Sequence, residues 1–382
     1  MWEIYESKYS ELLDKGLLRS QRIIESAQLT KSVVDHQDIL MFSSSNYLSI
    51  SELPTLWDKA IEVSKTYGAG AGGSRLTTGN TALHVELEAR LAKMTGYEST
   101  LLFSSGYMAN IGIFSALVTP DTLVFSDEKN HASIIDGLRM SRAQVTVYPH
   151  MNLEALETMV GDARRDGHKG PIILVSDYVF SMDGDVLLLE DFVKVGKRWE
   201  AITVIDDAHG FGITNMPYTP RPDILMGCLS KAIGSEGAFV ASSELIIHLL
   251  QNLGRSYMFS TSCSPFSIAF ALSALDYIQE HPELIERLQH NQQYLVQRLA
   301  SIGFAVQNSS HIVPIPMGSA TRAVAMAEKL WEDGIWTTPI RYPAVPEGEA
   351  ILRITLMAGH TEEQIDELVH SLQRNTEKTL YF

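Results

Sequence analysis

The chain has 382 residues, of which 45% are hydrophobic and 20% charged, and its formal net charge is −16 at pH 7. That length supports a large buried core and two domains, while an acidic balance without any basic run excludes a nucleic-acid surface, which needs clustered Lys and Arg against phosphate. Two cysteines, Cys228 and Cys263, cannot build a disulfide framework. No amino-terminal stretch pairs basic residues with an apolar run long enough for export, and apolar runs such as Pro171–Val175 fall far short of the ~20 residues that span a bilayer. The expected location is therefore the reducing cytoplasm, with no membrane contact.

Along the chain, Leu56, Ala60, Val63 and Tyr67 recur at helical spacing and lead into "GAGAGG", Gly68 to Gly73. The hexapeptide fits the dinucleotide pattern G-x-G-x-x-G, but that motif works only where a strand runs into it and a helix leaves it. A helix runs in here, so the nicotinamide reading is a minor alternative. The run is expected to be a flexible loop whose backbone can approach a ligand or a partner chain. Leu83, Leu87, Leu91 and Met94 mark one face of a helix between Thr81 and Thr95. Short apolar runs then follow at Leu123–Phe125, Ile172–Val175, Ile202–Ile205, Ile224–Met226 and Phe239–Ala241, as expected of strands covered on both faces. This alternation predicts a layered α/β protein with a mostly parallel sheet. Beyond Pro265 comes a long helical stretch to about Ile302, then strand candidates Ile312–Pro316 and Ile351–Leu356 and a closing helix from Thr361, which together read as a second, smaller α+β domain. The expected division is an N-terminal arm over 1–50, a large domain over 51–265 and a small C-terminal domain over 266–382.

Each apolar run ends in polar or glycine-containing residues, which would gather at the carboxyl edge of one sheet. "DEKNHAS" (127–133) places His131 there, "DYVFSMDG" (177–184) places Ser181, and "VIDDAHGFG" (204–212) places Asp206, Asp207 and His209. "CLSKAIGSEG" (228–237) sets Lys231 among small residues. Taken singly, His131 reads as a structural histidine, Ser181 as a turn residue and Lys231 as a surface lysine. The adjacent carboxylates lack a third ligand at metal spacing, so no metal is expected. Taken together, an acid, imidazoles, a hydroxyl and a lysine at one edge fit pyridoxal 5'-phosphate chemistry. The lysine forms a Schiff base, and the carboxylate keeps the pyridine nitrogen protonated through a charged hydrogen bond of about 1.5–3 kcal/mol. "SSGYMAN" (104–110) supplies a glycine-bearing turn that opens a helix and can take the phosphate.

Read in order, "FSSSNYL" (42–48), "YGAGAGGSRLTTGN", "SSGYMAN", "NHASIIDG", "VFSMDGD", "DDAHGFG", "LSKAIGSEGAF", "FSTS" and "PAVPEGEAILRITL" cover nearly the whole chain. In these motifs the chain resembles the α-oxoamine synthases, fold-type I pyridoxal phosphate enzymes that condense an amino acid with an acyl-CoA thioester and release CO2. The resemblance implies a mostly parallel seven-stranded sheet with helices on both faces, a smaller α+β C-terminal domain, and a homodimer with shared active sites. It makes Lys231 the Schiff-base lysine and the base for the α-proton, and Asp206 the partner of the pyridine nitrogen. His209 and Ser181 would lie near the ring hydroxyl, with His131 stacked on the ring. Gly106 and Tyr107 would offer N–H groups to the phosphate, while Ser260 and Thr261 would reach the phosphate of the neighbouring subunit's cofactor. Asn46 lines the substrate side, and Arg353 would clamp the amino acid carboxylate.

Two departures from the family pattern stand out. Cys228 replaces a threonine whose hydroxyl usually donates to the phosphate, and a thiol is a weaker donor. The connection "ITNMPYTPRP" (213–222) is shorter than usual. "GGSRLTTGN" and "IRYPAVPEGEAILRITL" point to the biotin-pathway branch, which joins L-alanine to a pimeloyl thioester, although the glycine–acetyl and serine–palmitoyl branches share most motifs. A non-catalytic family subunit typically loses the lysine or the ring-facing residues, all of which are present. A dehydrogenase would leave the lysine and both histidines unexplained.

Overall fold

Apolar runs without a charge become the centre of one sheet. The computed structural model describes residues 2–14, 17–18, 21–214, 216–306 and 310–379. Among these, the strands in chain order are β1 (Lys31–Val34), β2 (Gln37–Met41), β3 (Ser99–Phe103), β4 (Leu123–Asp127), β5 (Gln144–Tyr148), β6 (Ile172–Asp177), β7 (Ile202–Asp207), β8 (Ile224–Cys228) and β9 (Ala238–Ser242), followed by β10 (Ile312–Gly318), β11 (Ile335–Trp336), β12 (Thr338–Ile340) and β13 (Ala350–Thr355). Strands β3 to β9 form a seven-stranded sheet in the order β3-β9-β8-β7-β6-β4-β5. It is parallel except for β9, which runs antiparallel to both neighbours. All six residues of β6 and all five of β8 are buried, as strands covered on both faces must be. One packed layer lies under the helices Gly106–Leu117 and Ala132–Ser141, and a larger one lies under Pro54–Tyr67, Ala82–Thr95 and Pro265–Glu280.

Every expected strand is present, and five of them run past the apolar stretch to end on a polar residue or thiol: Asp127, Asp177, Asp207, Cys228 and Ser242. Outside this sheet β1, β2, β11 and β12 had no sequence counterpart, and within it two strands had none. β5 is an edge strand with its first four residues exposed, and β3 follows a helix so closely that its four apolar-to-neutral residues do not establish a period. The long helical stretch is two helices, Pro265–Glu280 and Glu283–Ser301, interrupted at Pro282, which has no N–H to continue the first helix. The glycine-rich loop does follow a helix, but its end is pinned: the Gly73 carbonyl accepts from the Ser262 N–H at 3.0 Å, and a Cβ on Gly79 would sit 2.2 Å from that oxygen. In the C-terminal part, β10, β13 and β12 form an antiparallel sheet. β2 pairs with both β1 and β11, tying residues 37–41 to 335–336. An ion pair, Arg75 to Glu88 at 2.8 and 2.9 Å, lies largely inside the fold and also fixes β3, because Glu88 accepts from the Leu102 N–H.

Three histidines serve as neutral struts. His84 bridges Thr81 and Ser262 at 2.8 Å each. His360 accepts from the Met357 N–H, reaches the Met41 carbonyl and stacks on Phe42 at 4.3 Å. His311 packs on Tyr47 at 4.0 Å. Burial pushes His84 and His360 down to about 4, and His311 to about 3. In the unfolded chain an imidazole titrates near about 6.5, so below that pH the unfolded state binds protons that the fold refuses. The stabilisation is complete above about pH 6.5 and is lost as the pH falls toward the folded values. We expect the urea midpoint to drop on acidification from about pH 7 to 5, and to drop less steeply in His360→Gln. Parallel slopes for the two proteins would show that His360 is not one of the groups responsible.

Candidate active site

The strand ends deliver their acids side by side. Asp177 at the end of β6 lies opposite Asp206 on β7, and Asp206 lies opposite Met226 on β8. Lys231 follows β8 by three residues on a loop closed by hydrogen bonds from Leu229 N–H to Gly237 O and from Gly234 N–H to Lys231 O, both 2.9 Å. Gly237 has φ +101°, and a Cβ there would meet the Cys263 sulfur at 2.8 Å, so a larger residue would push the loop out. Lys231 is half-buried and makes no ion pair among the described residues, although its charge acts on His131, Asp177, His209 and Cys228.

Asp206 is buried with both oxygens engaged: one accepts from the Ala208 N–H at 2.9 Å, the other from Asn110 Nδ2 at 2.7 Å. Asn110 also donates to Ser133 at 2.8 Å, and its own Oδ1 is buried without a partner. Asp207 turns the other way and accepts from the Tyr218 hydroxyl; burial pushes it up to about 8. Asp177 is raised by burial and then by the Asp206 charge beside it. The adjacent acids are thus divided, one toward the lysine side and one into the wall. His131 caps the helix Ala132–Ser141, its Nδ1 accepting from the Ser133 N–H at 3.3 Å and lying 2.7 Å from the Ser133 hydroxyl. His209 Nδ1 lies 2.7 Å from the Tyr47 hydroxyl, and burial holds this imidazole well below its ordinary value.

The end expected to take the phosphate is the N-terminus of the helix Gly106–Leu117. Ser105 caps it by accepting from the Met108 N–H at 3.2 Å, and the Gly106 N–H faces the Cys228 sulfur. A Cβ on Gly106 would sit 2.6 Å from that sulfur, so the space above Cys228 exists only because residue 106 is glycine. Burial raises the Cys228 thiol to about 11, which leaves a neutral, weak donor. Tyr107 is exposed and donates to Asp136. Arg353, on β13, donates through Nε to the Ser181 carbonyl at 2.6 Å and through Nη1 to Thr355 at 3.0 Å, leaving Nη2 without a partner among the described residues. Asn46 spends both amide hydrogens on Gln28 O and Ser51 Oγ, and its Oδ1 is buried and unpaired. Ser260 and Thr261 have no hydrogen bond to this cluster among the described residues and line a surface groove with Ser74, Leu76 and Phe259.

These donors fit a phosphorylated pyridine aldehyde: an unpaired lysine, an oriented buried carboxylate, and a helix N-terminus whose glycine leaves a cradle. Sequence reasoning singled out the strand-end residues and missed those that hold them. Tyr47 and Asn110 lie inside motifs already quoted, Asp177 opens another, and His311, which immediately precedes β10, carried no signal of its own. Away from the cluster, ligand atoms of His150, Asp183 and Asp185 lie within 4.8 Å of one another, but His150 bridges Asp127 and Asp185, and Lys129 pairs with Asp183 at 3.0 Å. A cavity of about 690 Å³ opens between Tyr178, the shortened connection at Thr214 to Thr219 and the helix Glu283–Ser301, with His311 in its wall.

The family model for aminotransferase class I and II matches residues 37–372. The 8-amino-7-oxononanoate synthase of Geobacter sulfurreducens is 39% identical over 376 residues, 95% of this chain and 95% of that one. The synthase of that name from Thermoanaerobacter pseudethanolicus is 36% identical over 382 residues, 97% and 96% of the two chains. Among solved structures, a serine palmitoyltransferase from S. paucimobilis with bound PLP matches with a TM-score of 0.91 at 27% identity, covering 100% of this chain and 98% of that one. The 8-amino-7-oxononanoate synthase from Francisella tularensis matches with a TM-score of 0.76 at 27% identity, covering 90% and 99%.

The Gly106–Cys228 contact sets two expectations of opposite sign for one titration. Gly106→Ala drives a methyl into the sulfur and should weaken cofactor binding by about tenfold or more, equivalent to about 1.4 kcal/mol. Cys228→Thr supplies a hydroxyl donor and should tighten it, with about 1.5–3 kcal/mol as the upper limit for a hydrogen bond to a charged group. Adding the cofactor to each apoprotein and following the bound chromophore measures both. Equal affinities across the three proteins would mean that the phosphate does not sit over Cys228.

Proposed function

The chain belongs to the class I and II aminotransferase family, in its α-oxoamine synthase branch, and from that premise we infer that it condenses L-alanine with a pimeloyl thioester to 8-amino-7-oxononanoate, CO2 and CoA, a step of biotin synthesis. The observation that carries this reading is the Lys231 amine, without an ion pair among the described residues, at the same sheet edge as a buried Asp206 that Asn110 and the Ala208 N–H hold in one orientation. Pyridoxal 5'-phosphate supplies an electron sink for the amino acid's α-carbon when bound there.

This chain's side chains do the rest. Lys231 anchors the cofactor and then moves the α-proton, Asp206 keeps the pyridine nitrogen protonated, and His131 covers one ring face. His209 Nε2 donates to the ring oxygen, with Ser181 beside it. Gly106, Tyr107 and Cys228 hold the phosphate at the helix N-terminus, joined by Ser260 and Thr261 from across a homodimer. Arg353 Nη2 binds the substrate carboxylate, and Asn46 lines the substrate side. Support for the dimer comes from apolar side chains left exposed around the groove, Leu76 and Phe259 among them, and from the helix Glu3–Asp14, which buries none of its residues while Tyr5 and Tyr9 stay exposed. We take residues 51–265 as the cofactor-carrying body and 266–382 as the smaller unit that brings Arg353. Among the described residues no helix is long and apolar enough to cross a membrane, and both cysteines are free and buried, in keeping with the cytoplasm we assign.

Both solved structures, the serine palmitoyltransferase and the Francisella oxononanoate synthase, are 27% identical to this chain, whereas the Thermoanaerobacter and Geobacter oxononanoate synthases reach 36–39% over nearly the full length, which favours alanine and a pimeloyl donor. Two experiments test the reading. Lys231→Ala should stay folded yet lose both turnover and the borohydride-reducible chromophore; a chromophore that survives reduces the lysine to a bystander. Comparing kcat/KM for alanine, glycine and serine, each with pimeloyl-, acetyl- and palmitoyl-CoA, should give the highest value for alanine with pimeloyl-CoA. A clear preference for glycine with acetyl-CoA, or for serine with palmitoyl-CoA, would move the chain to another branch.

A further inference from the structure

Three rings from distant parts of the chain meet behind the lysine. Tyr47 is fully buried and its ring lies against His311 at 4.0 Å. Its single hydroxyl proton can go to His209 Nδ1 at 2.7 Å or to Ser45 Oγ at 3.3 Å, and the shorter contact takes it, because the Ser45 hydroxyl can itself donate back to the tyrosine oxygen. The tyrosine cannot shift easily, because its carbonyl accepts from the Ala358 N–H at 2.7 Å and its N–H donates to the Ser45 carbonyl at 2.8 Å. His311 is held by the Leu356 N–H, which donates to its carbonyl at 2.9 Å, and its side-chain Nε2 is buried without a partner. His209 makes no other side-chain hydrogen bond among the described residues, so Nε2 is the ring atom left to meet a ligand.

Both imidazoles are held neutral by burial and by the Lys231 and Arg353 charges. A neutral imidazole carries one proton, and which nitrogen holds it is set by the hydrogen bond the other makes. A donor at Nδ1 therefore sends the proton to Nε2.

We propose that Tyr47 is a positioning residue whose hydroxyl donates to His209 Nδ1 and so fixes the tautomer with the proton on Nε2, while His311 packs behind the tyrosine ring and keeps it in place. The proposal rests on the reading of His209 Nε2 as the donor to the cofactor's ring oxygen, but its first test does not need the cofactor. Losing the Tyr47 hydroxyl frees Nδ1 to carry the proton, which leaves Nε2 an acceptor facing another acceptor, an arrangement that repels.

The test is nitrogen NMR on apoprotein labelled at histidine, with the His209 signals identified by their loss in His209→Asn. In the unaltered protein we expect a single neutral form protonated at Nε2. Tyr47→Phe keeps the ring on His311 and removes only the oxygen, and should give a mixture of the two tautomers. In the cofactor-loaded enzyme the same variant should lower kcat by about tenfold, the scale at which outer partners of a ligating histidine act, with little change in KM for alanine. A His209 protonated at Nδ1 in the unaltered apoprotein would overturn the proposal even if Tyr47→Phe did not fold. So would a single Nε2-protonated form that persists in Tyr47→Phe. Failure of the synthase reading shows separately, as a Lys231→Ala protein that keeps its reducible chromophore.

Discussion

A carboxylate buried at the end of a central strand is the constraint around which the rest is arranged. Burying such a group costs several kcal/mol unless its oxygens are satisfied. Asp206 meets that condition with one bond from its own chain, the Ala208 N–H, and one from Asn110 on the helix Gly106–Leu117. The second bond has consequences far from the acid. Since Asn110 sits one helical turn into that helix, orienting Asp206 also fixes the rotation of the helix over the sheet. That rotation sets Gly106 against Cys228, so the groups for the two ends of the cofactor are indexed to each other through one side chain.

The same constraint separates the two adjacent acids. Successive strand residues point to opposite faces, so Asp206 and Asp207 cannot share a task. One faces Asn110; the other accepts from Tyr218, on the shortened connection. That connection supplies the hydroxyl to Asp207 and also lines the cavity beside it.

How far the sequence made this legible follows from where the signal resides. Strands β6, β7 and β8 announce themselves because both faces are covered and no charge interrupts them, and the residue that ends such a run is necessarily at the sheet edge. Asp206, His209 and Lys231 could be picked out on that ground. β5 could not, since an exposed edge strand has no continuous apolar run, and the break at Pro282 was hidden by helical periodicity that continues on both sides of it. Among the site residues, those that orient others left little trace. Asn110 looks like any polar residue on a helix, and His311 like a polar residue before a strand; their function arises only when segments about a hundred or more residues apart are folded against one another.

Arg353 shows how the smaller unit is coupled to this edge. It reaches from β13 to the Ser181 carbonyl on the loop after β6, and its Nη1 is committed to Thr355. A carboxylate that engages Nη2 thus meets a guanidinium whose other side is already fixed, so little side-chain entropy remains to be lost on binding. The anchor also means that any movement of β13 is passed to Ser181, beside the position assigned to the cofactor's ring oxygen. His311 and Ala358, from the same part of the chain, bear on Tyr47 and through it on His209. Both groups proposed to face the ring oxygen, His209 and Ser181, are therefore held from the C-terminal part of the chain, whereas Asp206 and the proposed phosphate cradle are held from the large sheet and its helix.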